Sequence, residues 1–238
     1  MNGSASLWVY LAATPLFWLT VTLVAWLAAT YVTARVKHPL ANLVLIAVAL
    51  VGALLLATRT PYQNYFEGAQ FVHFLLGPAT VALAVPLVRH RVLVVRNIVP
   101  MGIALIAGGI TACASAVLIA KWLGAPREVL LSLAPKSTTA GIAMAISEHL
   151  GGVPSLTAVC VIATGIIGAM IVTPMMNGLG IRDFAARGFA AGLASHGIGT
   201  ARAFAVNEIA GTFAGIAMGL NGLATSLLAP LVAGWLGA

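Results

Sequence analysis

Apolar runs near 7–32, 40–57, 68–88, 98–120, 154–177 and 212–237 organise this chain. Each approaches or exceeds the ~20 residues a helix needs to cross a bilayer core. Two further segments, 125–150 and 183–209, are long enough to cross but carry polar centres rich in helix breakers. These centres read "LAPKSTTAG" and "LASHGIGTAR". Unpaired backbone is tolerated at membrane depth only where protein buries it or a cavity receives it. The pattern predicts an all-α, polytopic transmembrane helical bundle, with 1–238 forming a single domain. It has roughly six to eight crossings and two discontinuous or re-entrant helices.

Composition supports lipid as the solvent. Of 238 residues, 61% are hydrophobic and only 7% charged, and mean hydropathy is +1.05. A soluble domain carries about a quarter charged residues. The net charge of +7 sits mainly between apolar runs, as topology signals do, and not on a basic face that suits nucleic acid. Arg35 with Lys37, and Arg89, Arg91 and Arg96, mark loops 33–39 and 89–97 as cytoplasmic, placing the N-terminus outside. The first apolar run lacks a basic n-region and is too long for a signal-peptide core, so it reads as a retained span. Cys113 and Cys160 lie in apolar runs and read as small buried hydrophobes. "GPATVALAVPLV" (77–88) and "GLATSLLAPLV" (222–232) match with a single gap, a hint of internal duplication.

Ionisable groups inside a membrane are functional candidates by default, because each is costly unless paired or hydrated. Most charges here mark segment ends, and Arg182, Asp183 and Arg187 read as a solvated junction. Lys136, Glu148, His149, His196, Arg202 and Glu208 stand out. In "PKSTTAGIAM", Pro135 ends the preceding helix, and Ser137, Thr138 and Thr139 are suited to capping the next one. In "LASHGIGTAR", Gly197 and Gly199 break the chain, Thr200 is placed to cap a new helix, and Arg202 falls in its first turn. Both segments thus share a break, a hydroxyl cap, a half-helix N-terminus and a cation. Two such ends make a site for a small carboxylate at mid-membrane depth. The same spacing also suits two cations snorkelling to opposite interfaces, with glycines that allow close helix packing.

Other chemistries fit less well. Ser195 and His196 are adjacent, so on a helix they point about 100° apart and cannot pair as nucleophile and base. Five histidines without ligand spacing, and only five acidic residues, argue against a metal site. No cofactor is expected, and no enzyme. Glu148, His149 and Glu208 remain candidates for proton coupling.

These residues resemble the LrgB/CidB family of bacterial inner-membrane proteins. The likeness runs through "YFEGAQFVHFLLGPATVALAVPLV", "LAPKSTTAGIAMAISEHLGGVPSLTAVCVIATGIIGA" and "ASHGIGTARAF…GTFAGIAMGLNGLATSLLAPLV". It singles out Lys136, Ser137, Thr139, His196, Gly199, Thr200 and Arg202. It departs at Ala140-Gly141, where many relatives carry Thr-Pro, and at Ala205 and Ala210, where relatives tend to be acidic. The resemblance implies a multi-pass protein of the bacterial cell (inner) membrane, with a small LrgA/CidA-type membrane protein as partner, in a homo- or hetero-oligomer. Two functions follow from it. One is a transporter or facilitator for glycolate, glycerate, pyruvate or similar monocarboxylates. The other is a holin/antiholin-like modulator of murein hydrolase export and autolysis.

Overall fold

A computed structural model describes residues 14–36 and 41–237. The chain forms two compact units, 1–82 and 83–238. The first holds α1 (Pro15–Arg35), α2 (Leu43–Thr58), α3 (Tyr62–Phe74) and α4 (Leu76–Ala82). Proline opens α1, where a missing N–H costs the helix nothing. Asn42 opens α2 by accepting from the N–H groups of Val44 and Leu45 at 2.9 and 3.1 Å. Trp18, wholly buried, meets Tyr65 edge-on with ring centroids 5.9 Å apart. Gly68 lets α3 approach α1, since a Cβ there would meet the Trp18 Cβ at 2.7 Å. The expected first span, 7–32, lies partly outside the described residues, as does Lys37 of the 33–39 loop. Within the described residues that helix runs on to Arg35.

The second unit holds α5 (Ala84–Arg89), α6 (Arg91–Arg96), α7 (Ile98–Trp122), α8 (Arg127–Leu133), α9 (Ala140–Leu150), α10 (Pro154–Gly178), α11 (Phe184–Val206) and α12 (Glu208–Trp235). Loop 89–97 is in fact largely α6. Val92 to Val95 prolong the apolar run, and Asn97 ends it by donating from Nδ2 to the Leu93 carbonyl at 2.8 Å. Among the described residues, five stretches are long and apolar enough to cross a membrane: Pro15–Arg35, Tyr62–Arg89, Ile98–Trp122, Pro154–Gly178 and Glu208–Trp235. No strand occurs among the described residues.

Both polar-centred segments are interrupted. Residues 134–139 separate α8 from α9. Within α11, Ser195 (φ −131°, ψ 16°) and His196 (φ 40°, ψ −131°) leave helical geometry. The chain reverses direction at this point. A Cβ on Gly199 would meet the Ala191 carbonyl, although eight residues of straight helix span about 12 Å. Before the break, Gly188 and Gly192 lie on the carbonyls of Ala210 and Ala214, so that arm runs parallel to α12. After it, Thr200 touches Met218 and Phe204 covers Gly211, so the second arm runs antiparallel to α12. α11 is therefore a re-entrant hairpin with arms of about 15 Å, half a hydrocarbon core.

Small residues make this packing feasible, since lipid supplies no hydrophobic drive between helices and close backbone approach must replace it. Arg182→Cys and Val206→Cys, at the two ends of the hairpin, should react with a membrane-impermeant maleimide from the same side. Labelling from opposite sides would show that the segment crosses instead.

Candidate functional site

The two breaks meet at the middle of α12. Asn221, its fourteenth residue, is buried and donates from Nδ2 to the carbonyls of Ser137 and Leu193, both at 3.1 Å. One carbonyl belongs to each break. Thr225, one turn further along α12, donates to Asn221 Oδ1 at 3.2 Å and fixes the amide's orientation. Gly222 keeps α12 close to the first break, where a Cβ would meet Ile142 at 2.8 Å and Thr138 Oγ1 at 3.5 Å. Because α12 spans about 42 Å, its centre is the natural bilayer midplane.

Neighbouring helices hold each break in place. Ser132 Oγ accepts from Val153 N–H at 2.8 Å. Thr157 of α10 lies 2.7 Å from Ser147 Oγ and 3.0 Å from the Ser132 carbonyl, which ties α8 and α9 to α10. Gly165 and Gly168 of α10 form the seat of the second break, with His196 against the first glycine and Ser195 against the second. His196 Nε2 lies 2.9 Å from the Val161 carbonyl. A carbonyl only accepts, so this nitrogen carries the proton and donates. The positive φ of His196 is unusual for a residue other than glycine and costs roughly 1–3 kcal/mol, so the surrounding packing must enforce it.

Several expected details differ. Ser195 and His196 form the break, and Gly197 and Gly199 fall in the returning arm, where Gly199 serves close packing. Thr200 caps nothing, because it donates back to the His196 carbonyl at 2.8 Å. Arg202 is the sixth residue after His196, beyond the first turn. Thr139 occupies the N-cap position of α9 but makes no side-chain cap bond. The buried hydroxyls of Ser137, Thr138 and Ser195 have no hydrogen-bond partner among the described residues. Ser195 Oγ is turned against Gly168 of α10, whereas the unpaired hydroxyls of Ser137 and Thr138, beside an uncapped helix start, constitute donor capacity awaiting an acceptor.

Lys136 is half-buried beside this junction, within electrostatic reach of Cys113 on α7 and Cys160 on α10. It has no ion-pair partner among the described residues. All five acidic residues are exposed elsewhere. Glu148 and His149 lie at the exit of α9 before Gly151, whose φ of 88° ends the helix. Glu208 pairs with Arg89 at 2.8 Å, with His90 Nε2 at 3.6 Å. Arg202 does not share the junction with Lys136. It lines a cleft with Arg187, lower on the hairpin.

Sequence reasoning missed Asn221, the seat formed by Gly165 and Gly168, and Arg187. Asn221 had a usable signal, a lone amide in a 28-residue apolar helix, which is costly without partners.

Residues 22–235 match the LrgB-like family. The chain belongs to that family. It is 34% identical to the protein YwbG of Bacillus subtilis over 214 residues, covering 90% of this chain and 95% of that protein. A Haemophilus influenzae protein is 32% identical over 215 residues, covering 87% of this chain and 89% of its own. The holin-like protein CidB of Staphylococcus aureus Mu50 is 28% identical over 217 residues, covering 91% and 95%. No solved structure matches. As an LrgB-like protein with several apolar helices, it is a multi-pass bacterial membrane protein.

Proposed function

We propose that this LrgB-like protein transports small monocarboxylates, such as glycolate, glycerate or pyruvate, and works with a small LrgA/CidA-type membrane protein. One observation carries this function: a midplane junction rich in unpaired donors and free of acidic side chains. Ser137 and Thr138 offer hydroxyls, α9 offers uncapped N–H groups, and Lys136 offers charge. An anion with few atoms satisfies all of them, and no carboxylate of the protein competes. Re-entrant or broken helices at the centre of a bundle are also the parts that transporters use to bind and to alternate access. His196, Gly199 and Thr200 hold the second break in shape.

A holin-like role in autolysis is the alternative, supported by the name of the CidB relatives. A bare pore would need a continuous polar stripe, whereas the donors here are gathered at one depth.

Vesicles containing the purified protein should take up labelled glycolate or pyruvate saturably and exclude sucrose. Lys136→Gln should lower the apparent affinity roughly 10- to 150-fold, corresponding to a lost charge-assisted hydrogen bond. Unselective leakage of sucrose would support the holin-like role and defeat transport.

A further inference from the structure

Arg187 and Arg202, one on each arm of the α11 hairpin, line the same cleft. Gly199 meets Ala191, and that register carries Arg187 on the inward arm to the height of Arg202 on the returning arm. Both line one open cleft, walled by Phe184, Val172, Val206 and Gly188. At 1.5 Å per residue they stand roughly 9–12 Å from the tip, still within the depth of a half hydrocarbon core.

Two guanidinium groups in one cleft repel each other unless an anion lies between them. Arg187 is already oriented, donating from Nη2 to Asn177 Oδ1 at 2.9 Å and, more weakly, to the Thr173 carbonyl, and from Nη1 to the Ile181 carbonyl. Arg202 has no hydrogen-bond or ion-pair partner among the described residues. Asp183, four residues before Arg187, caps the helix by accepting from Ala186 N–H at 2.7 Å, and Glu208, six residues after Arg202, pairs with Arg89, so neither acid pairs with these arginines.

We propose that Arg187 and Arg202 form a second anion site, which holds the carboxylate of a small carboxylic acid between the membrane surface and the midplane junction. The choice of a carboxylate follows from the planar fork of the unpartnered Arg202 guanidinium, which binds two oxygens in parallel. As a staging site for the transported acid, it rests on the transport function proposed above.

Sodium glycolate titrated into the full-length protein, purified in detergent, separates the two sites. In Lys136→Gln, glycolate should still bind, through the arginine pair, and adding Arg202→Gln should remove that binding. Arg202→Gln alone should raise the half-saturation of vesicle uptake at least about tenfold and leave the saturated rate within about twofold. Arg202→Lys should fall between, because the charge stays and the fork is lost. Arg202 holds no contact that folding needs, so these variants should elute and melt as wild type does.

Complete loss of binding in Lys136→Gln would overturn the second site, as would unchanged glycolate affinity in Arg202→Gln. Release of co-purified phosphatidylglycerol by Arg202→Gln, with glycolate binding intact, would assign the cleft to a lipid headgroup and also overturn it. Wild-type protein without flux, whose glycolate binding still depends on Arg202, would defeat transport while the anion site stands.

Discussion

Asn221→Asp is expected to abolish uptake and to lower the melting temperature of the purified protein by at least about 5 °C. Among the described residues, Asn221 alone bonds both breaks with its side chain, through the Ser137 and Leu193 carbonyls. An ionised Asp offers acceptors alone and sets oxygen against oxygen at each contact. A protonated Asp offers one donor for two carbonyls. Each buried acceptor left unpaired costs about 1–3 kcal/mol, and repulsion from an ionised carboxylate adds to that. Asn221→Gln keeps both donors on a longer arm and should be milder. A wild-type melting temperature in Asn221→Asp would show that the junction does not depend on this bridge.

Gly192→Val is expected to have the largest effect on the fold. A Cβ at Gly192 would land on the backbone of Ala214, and one at Gly188 on the backbone of Ala210. Backbone cannot rotate aside as the end of a side chain can, so the inward arm must move bodily away from α12. Overpacking of this kind costs typically about 1–3 kcal/mol, occasionally more. The variant should express poorly or elute as aggregate, and any folded fraction should melt well below wild type. Gly219 and Gly234 of α12 offer a contrast, since a Cβ at either would have nothing within 4 Å. Gly219→Val and Gly234→Val should therefore be tolerated. Equal behaviour of Gly192→Val and Gly219→Val, by elution and melting temperature, would refute the close hairpin packing.

Much of the architecture was legible along the chain because lipid imposes a simple rule. Backbone groups must be paired within the segment, so spans must be long, apolar and helical. The runs near 98–120, 154–177 and 212–237 were readable in this way and correspond to α7, α10 and α12. The breaks were readable too, since "PKSTT" and "SHGIGT" put polar and helix-breaking residues where a continuous span tolerates neither. Their details were less legible. Glycines drew attention to 197 and 199, but the reversal falls on Ser195 and His196, where α10 supplies the seat and the Val161 carbonyl supplies the anchor. Local propensity favoured glycine for the unusual dihedral, and tertiary packing overrode it.

By itself, then, the sequence determined the solvent, the helical class, the approximate spans and the existence of two polar interruptions, with Lys136, Ser137, Thr138, Ser195 and His196 inside them. These follow from transfer energies and backbone pairing, which act over a few neighbouring residues. Only the tertiary structure decided that α11 turns back on itself, that Asn221 joins the two breaks, and that Arg202 shares a cleft with Arg187. Those outcomes depend on residues 15 to 84 positions apart, such as Arg187 and Arg202, which line one cleft, and Ser137, which accepts from Asn221. Pairings at such separations are selected by which helices pack together, a choice that no local pattern of polar and apolar positions encodes.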